Sequence, residues 1–298
     1  MAVGSSTFLI RTARRCYLYT TRRNLLWDVS KEFEHYAIIF GHFETEVLRG
    51  VRRGTYGSDD FGQNSWLSRA EFGEFVEWLH LSPDSHVLDV GCGSGGPALL
   101  LAKTVACRVT GIDINDHAIA AAEAAAAAKG LGAMVRFRRE DARQDLPFEE
   151  GAFDAVLCID SINHLPNRSG LLMEWRRILK PDGRVLFTDP TVVTGPLSGE
   201  EIADRSLIGH LEFSPPGLDE ELLGRTGFDL VLRKDVTENI ATLSKRRYEA
   251  RAAHRDDLLR VEGETRYDLE QRFYAAVHKL ARDRRLSRFV FVGRKPRR

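Results

Sequence analysis

A short run of acidic and glycine residues is the strongest chemical signal in the sequence. In Val87-Leu-Asp-Val-Gly-Cys-Gly-Ser-Gly-Gly-Pro97, apolar residues typical of a strand precede a glycine turn, and proline stands where a helix would begin. Gly91 and Gly93 allow a tight turn and let a ligand approach the backbone. The free N–H groups of the following helix favour an anionic ligand. The segment therefore predicts a ligand-binding turn between a strand and a helix.

A second acidic residue stands at an informative distance from this turn. Asp113 follows the apolar segment Arg108–Ile112, 22 residues beyond Gly91. An acid about 20 residues after such a turn can bind the hydroxyl groups of a ribose. The two signals together indicate a nucleoside-containing ligand. They leave open whether that ligand is a dinucleotide or S-adenosylmethionine.

The pattern Asp89-x-Gly91-x-Gly93-x-Gly95 resembles the acidic and glycine signature of class I S-adenosylmethionine-dependent methyltransferases. Dinucleotide-binding folds usually lack an acid two residues before the first glycine. The resemblance therefore favours S-adenosylmethionine over a dinucleotide.

Three further segments resemble motifs of the same family, in the same order. Glu140-Asp141-Ala142 resembles the motif after the third strand, whose acid meets the adenine amino group. Ile159–His164 resembles the segment after the fourth strand, and Ile178–Leu186 resembles the helix, turn and strand that follow. The resemblance covers about residues 60–195.

The resemblance implies a fold, a cofactor and a set of contacts. It is greatest to small-molecule enzymes of the sarcosine, phosphoethanolamine and tocopherol types, whose segment before the core is partly matched by Tyr56–Ser65. That match implies contacts of Gln63 and Ser68 with the methionine end of the cofactor. The implied cofactor is S-adenosyl-L-methionine. The sequence offers no clustered Cys/His set and no recognised carboxylate trio, so we expect no metal. The implied cofactor-binding residues are Gln63, Asp89, Gly91, Gly93, Gly95, Asp113, Ile114, Asp141, Ala142 and Ile159.

Methyl transfer is a displacement at a sulfonium carbon, for which the protein mainly supplies alignment. The acceptor would bind at the carboxyl ends of the fourth and fifth strands, where loops are free to vary. His164 and His210 are the candidate catalytic bases there, and the alternative for both is an orienting or structural histidine. The other candidate acceptor contacts are Trp66, Asp160, Asn163, Asp189, Thr191 and Phe213.

The composition restricts the classes of partner that we expect the protein to bind. Lysine plus arginine equals aspartate plus glutamate, 43 against 43, so the net charge gives no support to nucleic-acid binding. The four cysteines match no zinc spacing, and no apolar run is long enough for a transmembrane helix. We expect a small, largely apolar or aromatic acceptor, methylated on nitrogen or oxygen, with no nucleic acid and no membrane partner, and the sequence leaves a homodimer open.

Three other classes of function remain. A nicotinamide dehydrogenase would share the glycine turn but not Asp89. A nucleic-acid methyltransferase would carry Asn/Asp-Pro-Pro-aromatic where this sequence has Asp160-Ser-Ile-Asn163. A protein that binds the cofactor without transferring its methyl group is the third alternative to a small-molecule enzyme.

Alternating strand and helix patterns predict an α/β fold, a Rossmann-like, mostly parallel seven-stranded sheet flanked by helices. We divide the chain into a basic leader (1–27), expected to be disordered, an N-terminal helical lid (28–81), a cofactor-binding core (82–195) and an acceptor-binding cap with the last two strands (196–298). The leader has the composition of a mitochondrial transit peptide. A disordered leader on a cytoplasmic protein is the favoured alternative.

Several local predictions follow from residue patterns. Glycine, arginine and aspartate over Gly50–Asn64 predict a break in the N-terminal helices. Ser68 and Glu71 predict a capping box, and Lys180–Gly183 predicts a turn.

Two charged helical stretches, Glu238–Arg260 and Arg266–Arg284, lie between the last two strand patterns. We predict that they form a helical cap over the carboxyl edge of the sheet.

Overall fold

The computed structural model describes residues 6–12, 15–21 and 29–297. The strands in these ranges are β1 (Ser6–Thr12), β2 (Arg15–Thr21), β3 (His86–Val90), β4 (Arg108–Asp113), β5 (Val135–Arg139), β6 (Phe153–Cys158), β7 (Leu179–Val193), β8 (Asp229–Asp235) and β9 (Leu286–Arg294). The α-helices there are α1 (Val29–Gly41), α2 (Glu46–Tyr56), α3 (Arg69–Leu79), α4 (Gly96–Val105), α5 (Asp116–Ala128), α6 (Arg168–Ile178), α7 (Gly199–Arg205), α8 (Leu218–Arg225), α9 (Thr237–Ala253), α10 (Arg255–Glu262) and α11 (Glu264–Arg282).

Seven strands form one sheet in the order β5-β4-β3-β6-β7-β9-β8. Strands β3 to β7 run parallel, whereas β9 is antiparallel to both of its neighbours. The predicted seven-stranded, mostly parallel sheet is confirmed. Strands β1 and β2 pair with each other in a separate two-stranded sheet. The rest of the proposed leader lies outside the described residues.

Both faces of the central strands are buried, as expected for a parallel sheet covered by helices. Val87 packs on one face among apolar residues of α3, α4 and α5. Leu88, the next residue of β3, packs on the other face with α6, whose Trp175 is fully buried. This alternation explains why the strands read as continuous apolar runs in the sequence.

The strand order reverses beside β3. The chain moves from β3 outward through β4 to β5 and then returns to add β6 and β7 on the other side of β3. A crevice opens at such a switch point, at the carboxyl ends of the two strands that leave in opposite directions. The topology therefore places a binding crevice between β3 and its neighbours β4 and β6.

The predicted helix break over Gly50–Asn64 is wrong in its first half. Helix α2 continues to Tyr56, and the irregular segment begins at Gly57. A side chain at Gly50 would lie 2.8 Å from the His254 imidazole, and one at Gly54 would lie 2.7 Å from the Ala250 methyl group. The two glycines therefore let α2 pack closely on α9 and do not interrupt the helix.

The predicted turn Lys180–Gly183 lies within β7. Its residues fall between the pairs Phe153–Leu179 and Ala155–Arg184, where the register of β6 and β7 shifts. Asp182 has a positive φ of 65°, as a turn residue would. The turn signal thus corresponds to a bulge inside one long strand.

The predicted capping box at Ser68 is half present. The Ser68 side chain accepts a hydrogen bond from the Glu71 N–H and caps α3. The Glu71 side chain does not return to the cap, because it forms a buried ion pair with Arg288 of β9. A residue that looked like a local cap therefore joins two distant parts of the chain.

The two predicted late helical stretches form three helices, α9, α10 and α11. They pack against one another and against α2. Trp66 lies beside Phe273 and Tyr274 of α11, with ring centroids 6.5 and 6.2 Å apart. The late helices therefore hold the segment that precedes α3. No helix within the described ranges is long and apolar enough to cross a membrane.

Candidate functional site

A cavity of about 180 Å³ lies at the carboxyl edge of the sheet, at the strand switch point. Its walls come from the turn after β3, the ends of β4 and β6, the loop after β5, helix α1 and the loop at 62–65. The predicted site residues that line it are Gln63, Asp89, Gly91, Gly93, Asp113, Ile114, Asp141, Ala142, Ile159 and His164.

The glycine turn has the geometry that its sequence predicts. Gly91 and Gly93 both have positive φ angles, 69° and 52°. The Gly93 N–H donates a hydrogen bond to Asp113 Oδ2 at 2.9 Å. Gly95, with φ 79°, lies behind the turn, where a side chain would meet the Phe137 ring at 2.6 Å. Gly95 does not line the cavity; it allows the start of α4 to pack on β5.

Asp113 is fixed by the backbone around it. Its two carboxylate oxygens accept hydrogen bonds from the N–H groups of Gly93 and Asn115, both at 2.9 Å. Burial raises the pKa of Asp113, while these backbone hydrogen bonds lower it. A carboxylate held in this way keeps free lone pairs toward the cavity, where it can accept from ligand hydroxyl groups.

Asp89 is a buried acid with an unmet hydrogen-bonding group. It is 2% exposed, and its Oδ2 has no hydrogen-bond partner among the described residues. Burial, and then the nearby charge of Asp113, raise its pKa to about 7. A buried polar atom without a partner is costly. The cavity therefore fits a ligand that brings a donor or a positive charge to Asp89.

Asp141 lies at the more open end of the cavity and pairs with Arg143. The guanidinium Nε and one terminal nitrogen contact the two carboxylate oxygens at 2.8 and 2.9 Å. Partial burial raises the pKa of Asp141, but the hydrogen bonds and charge of Arg143 outweigh it and lower the pKa below its ordinary value. Asp141 therefore remains ionised and oriented beside Ala142, as an adenine-binding acid would need to be.

The loop before α3 closes over the glycine turn. Ser94 Oγ donates to the Gly62 carbonyl at 2.9 Å, and a side chain at Gly96 would lie 2.5 Å from that carbonyl. The Gln63 amide donates to the carbonyls of Asp59 and Leu67 and accepts from the Phe61 N–H. The side-chain donors of Gln63 are thus used to shape the loop. Ser68, the other residue implied at the methionine end, caps α3 and does not line the cavity.

His164 forms a hydrogen-bonded pair with Tyr36, and both residues line the cavity. His164 Nδ1 lies 2.9 Å from the His210 carbonyl, which can only accept, so Nδ1 carries the proton. Nε2 of the neutral ring then accepts from the Tyr36 hydroxyl at 3.1 Å. No local sequence signal marks Tyr36, because α1 is remote from the recognised motifs and its tyrosine resembles an ordinary core residue.

Of the other predicted acceptor residues, Asp160 lines the cavity and the rest do not. His210 contributes its backbone carbonyl to His164, and its side chain does not line the cavity. Asn163 is buried, and its Oδ1 has no hydrogen-bond partner within the part of the chain that the structure describes. Thr191 donates to Asp189, which is itself fully buried. Trp66 and Phe213 pack in apolar clusters beside α11 and β7.

A buried charge network supports the end of β6. Asp160, which lines the cavity, accepts from Arg288 Nε and the Thr188 hydroxyl, both at 2.7 Å. Its second oxygen accepts from the Trp66 N–H at 2.8 Å. Arg288 is fully buried and also pairs with Glu71 at 2.6 Å. One guanidinium thereby joins β6, α3 and β9.

A second network supports the end of β7. Arg168 contacts Asp189 at 2.6 Å and Asp219 at 2.8 Å, and all three side chains are buried. Burial, then the charge of Asp189, raise the pKa of Asp219 to about 7, while Arg168 opposes both effects. Arg168 and Ser214 hold the pKa of Asp189 below its ordinary value despite its burial. Among the described residues no group of His, Cys, Asp and Glu could hold a metal ion.

Comparisons with known proteins agree with this geometry. The profile of the family described as "Methyltransferase domain" matches residues 88–187. A glycine/sarcosine/dimethylglycine N-methyltransferase of Actinopolyspora halophila is 33% identical over 162 residues, 54% of this chain. The chain spans only 28% of the length of that relative.

Two solved structures share the fold over most of the chain. The [4+2]-cyclase SpnF has a TM-score of 0.68 at 26% identity, covering 88% of this chain and 94% of its own. Phosphoethanolamine N-methyltransferase 2 of Haemonchus contortus, in complex with S-adenosylhomocysteine, has a TM-score of 0.73 at 22% identity, covering 88% of this chain and 61% of its own.

The matched segment contains the glycine turn, Asp113 and Asp141. Residues 88–187 of this chain therefore match the methyltransferase-domain family, and the fold around them is that of the similar solved structures.

Proposed function

We propose that the protein transfers a methyl group from S-adenosylmethionine to a small-molecule acceptor. The observation that carries this proposal is the pair of acids at the switch point, Asp113 oriented by two backbone amides and Asp89 buried without a partner. When bound, the cofactor supplies an electrophilic methyl group on a sulfonium sulfur.

The residues of the cavity fit the parts of this cofactor. Asp113 would accept from the ribose hydroxyl groups, and Asp89 would face the ammonium group at the methionine end. Asp141 would accept from the adenine amino group. The positive-φ glycines Gly91 and Gly93 would bring the backbone close to the ligand.

Acceptor deprotonation would fall to the pair of Tyr36 and His164. Nε2 of His164 has the lone pair that can take a proton, and the His210 carbonyl fixes the ring in that tautomer. The Tyr36 hydroxyl lies next to Nε2 at the cavity wall, so it can orient an acceptor nitrogen or oxygen or pass its proton to His164.

A second function is favoured by one specific comparison. The [4+2]-cyclase SpnF is similar in fold to 88% of this chain. A protein of this fold could therefore catalyse a reaction other than methyl transfer. The same cavity residues would serve such a protein, whereas a base at His164 would be dispensable.

Calorimetry with S-adenosylhomocysteine, followed by methyl-transfer assays on small amines, phenols and acids, tests the proposal. We expect binding and turnover, and for His164→Ala a kcat lower by about 10²- to 10⁴-fold. Tyr36→Phe is the matched variant that keeps the ring and removes only the hydroxyl, and it should bind S-adenosylhomocysteine as the wild type does.

Three results would contradict the proposal. Tight NAD binding without S-adenosylhomocysteine binding would refute the cofactor. Binding without turnover of any acceptor, unchanged by His164→Ala, would favour the second function. Salt-sensitive methylation of tRNA or duplex DNA, with no activity on small molecules, would replace the acceptor class.

A further inference from the structure

The loop that precedes α3 is held at both of its ends to the cavity at the strand switch point. At one end, the Gly62 carbonyl accepts a hydrogen bond from Ser94 Oγ of the glycine turn at 2.9 Å. At the other end, the Trp66 N–H donates to Asp160 Oδ2, just after β6, at 2.8 Å. The loop therefore crosses the cavity from the glycine turn to the end of β6. In the proposed function, this is where Asp89 would face the methionine part of the cofactor.

The middle of this loop is held by Arg247 of α9. Arg247 is 7% exposed, and its Nη1 donates to the side-chain oxygen of Asn64 at 2.7 Å. Its Nη2 donates at 2.9 Å to the Tyr56 hydroxyl, which in turn donates to the Ser65 carbonyl at 2.7 Å. One buried guanidinium thus holds two successive residues of the loop, and both of them line the cavity.

The contact with Arg247 decides which way the Asn64 amide faces. A guanidinium can only donate, so the side-chain oxygen of Asn64 must face Arg247 and the amide N–H groups must face away from it. Arg247 lines a second cavity of about 40 Å³ and not the first, and Asn64 lies between the two. The Asn64 amide nitrogen has no hydrogen-bond partner among the described residues and is not fully buried. Its N–H groups are therefore left to a ligand in the first cavity.

An anionic group of a ligand in this cavity would depend on neutral donors. Arg143 is the only arginine or lysine among the described residues that line the cavity, and it lies at the more open end, paired with an acid. Near the glycine turn, the side-chain donors of Gln63 and Ser94 are already used within the loop. The Asn64 amide is available, and its charged hydrogen bond to Arg247 polarises it into a stronger donor.

We propose that Arg247 is a positioning residue for the cofactor, acting through Asn64, whose amide donates to the carboxylate of the methionine part. That part of the cofactor carries an ammonium group and a carboxylate. Asp89 matches the first, and an amide donor oriented by a guanidinium matches the second. The inference rests on the proposed function. It gives α9 a role in cofactor binding that no local sequence pattern could reveal, because Arg247 lies 183 residues beyond Asn64.

The test measures how strongly each protein prefers S-adenosylmethionine over its decarboxylated analogue, which lacks only the carboxylate. Asn64→Asp keeps the size of the side chain and an acceptor for Arg247, but it removes the amide N–H groups. Arg247→Met removes the guanidinium and keeps most of the buried volume. Arg251→Met is the matched control, because Arg251 is a buried arginine one turn further along α9 that pairs with Glu262 instead of the loop. Calorimetry gives both affinities, and urea denaturation gives the free energy of unfolding.

We expect the wild type to bind S-adenosylmethionine about 10- to 100-fold more tightly than the analogue, because hydrogen bonds to a charged group contribute this much to affinity. Asn64→Asp should lose this preference without losing stability, since the new carboxylate pairs with Arg247 and repels the carboxylate of the cofactor. Arg247→Met should lose most of the preference. Arg251→Met should keep it, even where both arginine variants unfold more easily than the wild type.

The inference is overturned if the wild type binds the two compounds equally, or if either Asn64→Asp or Arg247→Met keeps the preference of the wild type. It is also overturned if Arg251→Met loses the preference as Arg247→Met does, because the effect would then follow from a general loosening of α9. A wild type that binds neither S-adenosylmethionine nor S-adenosylhomocysteine would refute the proposed cofactor itself. Binding without preference for the carboxylate would refute only the role of Arg247 and Asn64.

Discussion

The two halves of the cavity use acidic residues in opposite ways. On the half formed by β3, β4 and the turn between β3 and α4, Asp89 is buried and Asp113 is half-buried, and neither contacts an arginine of the described residues. On the half formed by β6 and β7, Asp160 and Asp189 each contact a buried guanidinium. Asp89, Asp113 and Asp160 stand at or near the end of a strand, and Asp189 lies within the last third of β7. The acids that could bind a ligand differ from the acids that stabilise the fold in whether they contact an arginine, and not in where they stand on the sheet.

The largest expected effect lies on the paired half. Arg168→Met leaves Asp189 and Asp219 buried without their counter-charge. Breaking a buried ion pair in this way should lower the free energy of unfolding by about 3–5 kcal/mol. Urea denaturation measures the loss, and Arg225→Met, at an exposed pair with Glu221, is the control that should change it by at most about 1 kcal/mol. If Arg168→Met and Arg225→Met lost equal free energy of unfolding, the buried ion pairs would stabilise the fold no more than an exposed pair does. The distinction between the two halves of the cavity would then fail.

On the unpaired half, removing the charge of Asp89 should raise the free energy of unfolding, by an amount that depends on pH. The folded-state pKa of Asp89 is raised to about 7, so the folded protein holds a proton that the unfolded chain releases near its ordinary value. Stability without ligand should therefore fall as pH rises from about 4 to about 7, by up to about 4 kcal/mol from this group.

Asp89→Asn should remove that loss. The stability difference between variant and wild type, measured by urea denaturation from pH 5 to pH 8, should grow with pH in favour of the variant. A difference that stays constant across this range would show that Asp89 is already satisfied inside the protein.

A smaller effect is expected for the acid that faces the ribose. Asp113→Ala should weaken S-adenosylhomocysteine binding about 10- to 100-fold, because hydrogen bonds to a charged group contribute about 1.5–3 kcal/mol. Asp116→Ala, at an exposed acid on the first turn of α5, is the matched control and should bind normally. Calorimetry decides, and a normal affinity for Asp113→Ala would place the ribose elsewhere.

The sequence predicted the unpaired half far better than the paired one. The glycine turn, Asp89 and Asp113 belong to one strand–turn–helix–strand unit, so local spacing was enough to place them. Asp160 was also predicted at the cavity, but its partner Arg288 lies 128 residues away in sequence. No local pattern connects residues at that distance.

Local patterns also misled where a distant contact dominates. Glu71 had the spacing of a capping box and instead pairs with Arg288, 217 residues further along the chain. Gly50 and Gly54 had the composition of a break and instead admit α9. Tyr36 carried no motif, because its role depends on meeting His164 in three dimensions.

The contact of Arg288 with Asp160 and Glu71 also sets an order of assembly during synthesis. Domains fold as their segments leave the ribosome, amino-terminal parts first. Strands β3 and β4, which carry Asp89 and Asp113, and β5, which Asp141 follows, can pair once about half of the chain has emerged, whereas β9 is among the last elements made. A nascent chain could thus form the nucleoside-binding side of the cavity while Asp160, on the other side, still lacks its counter-charge Arg288. Cofactor binding to β3, β4 and β5 would stabilise the incomplete sheet before Arg288 of β9 joins Glu71 of the N-terminal lid.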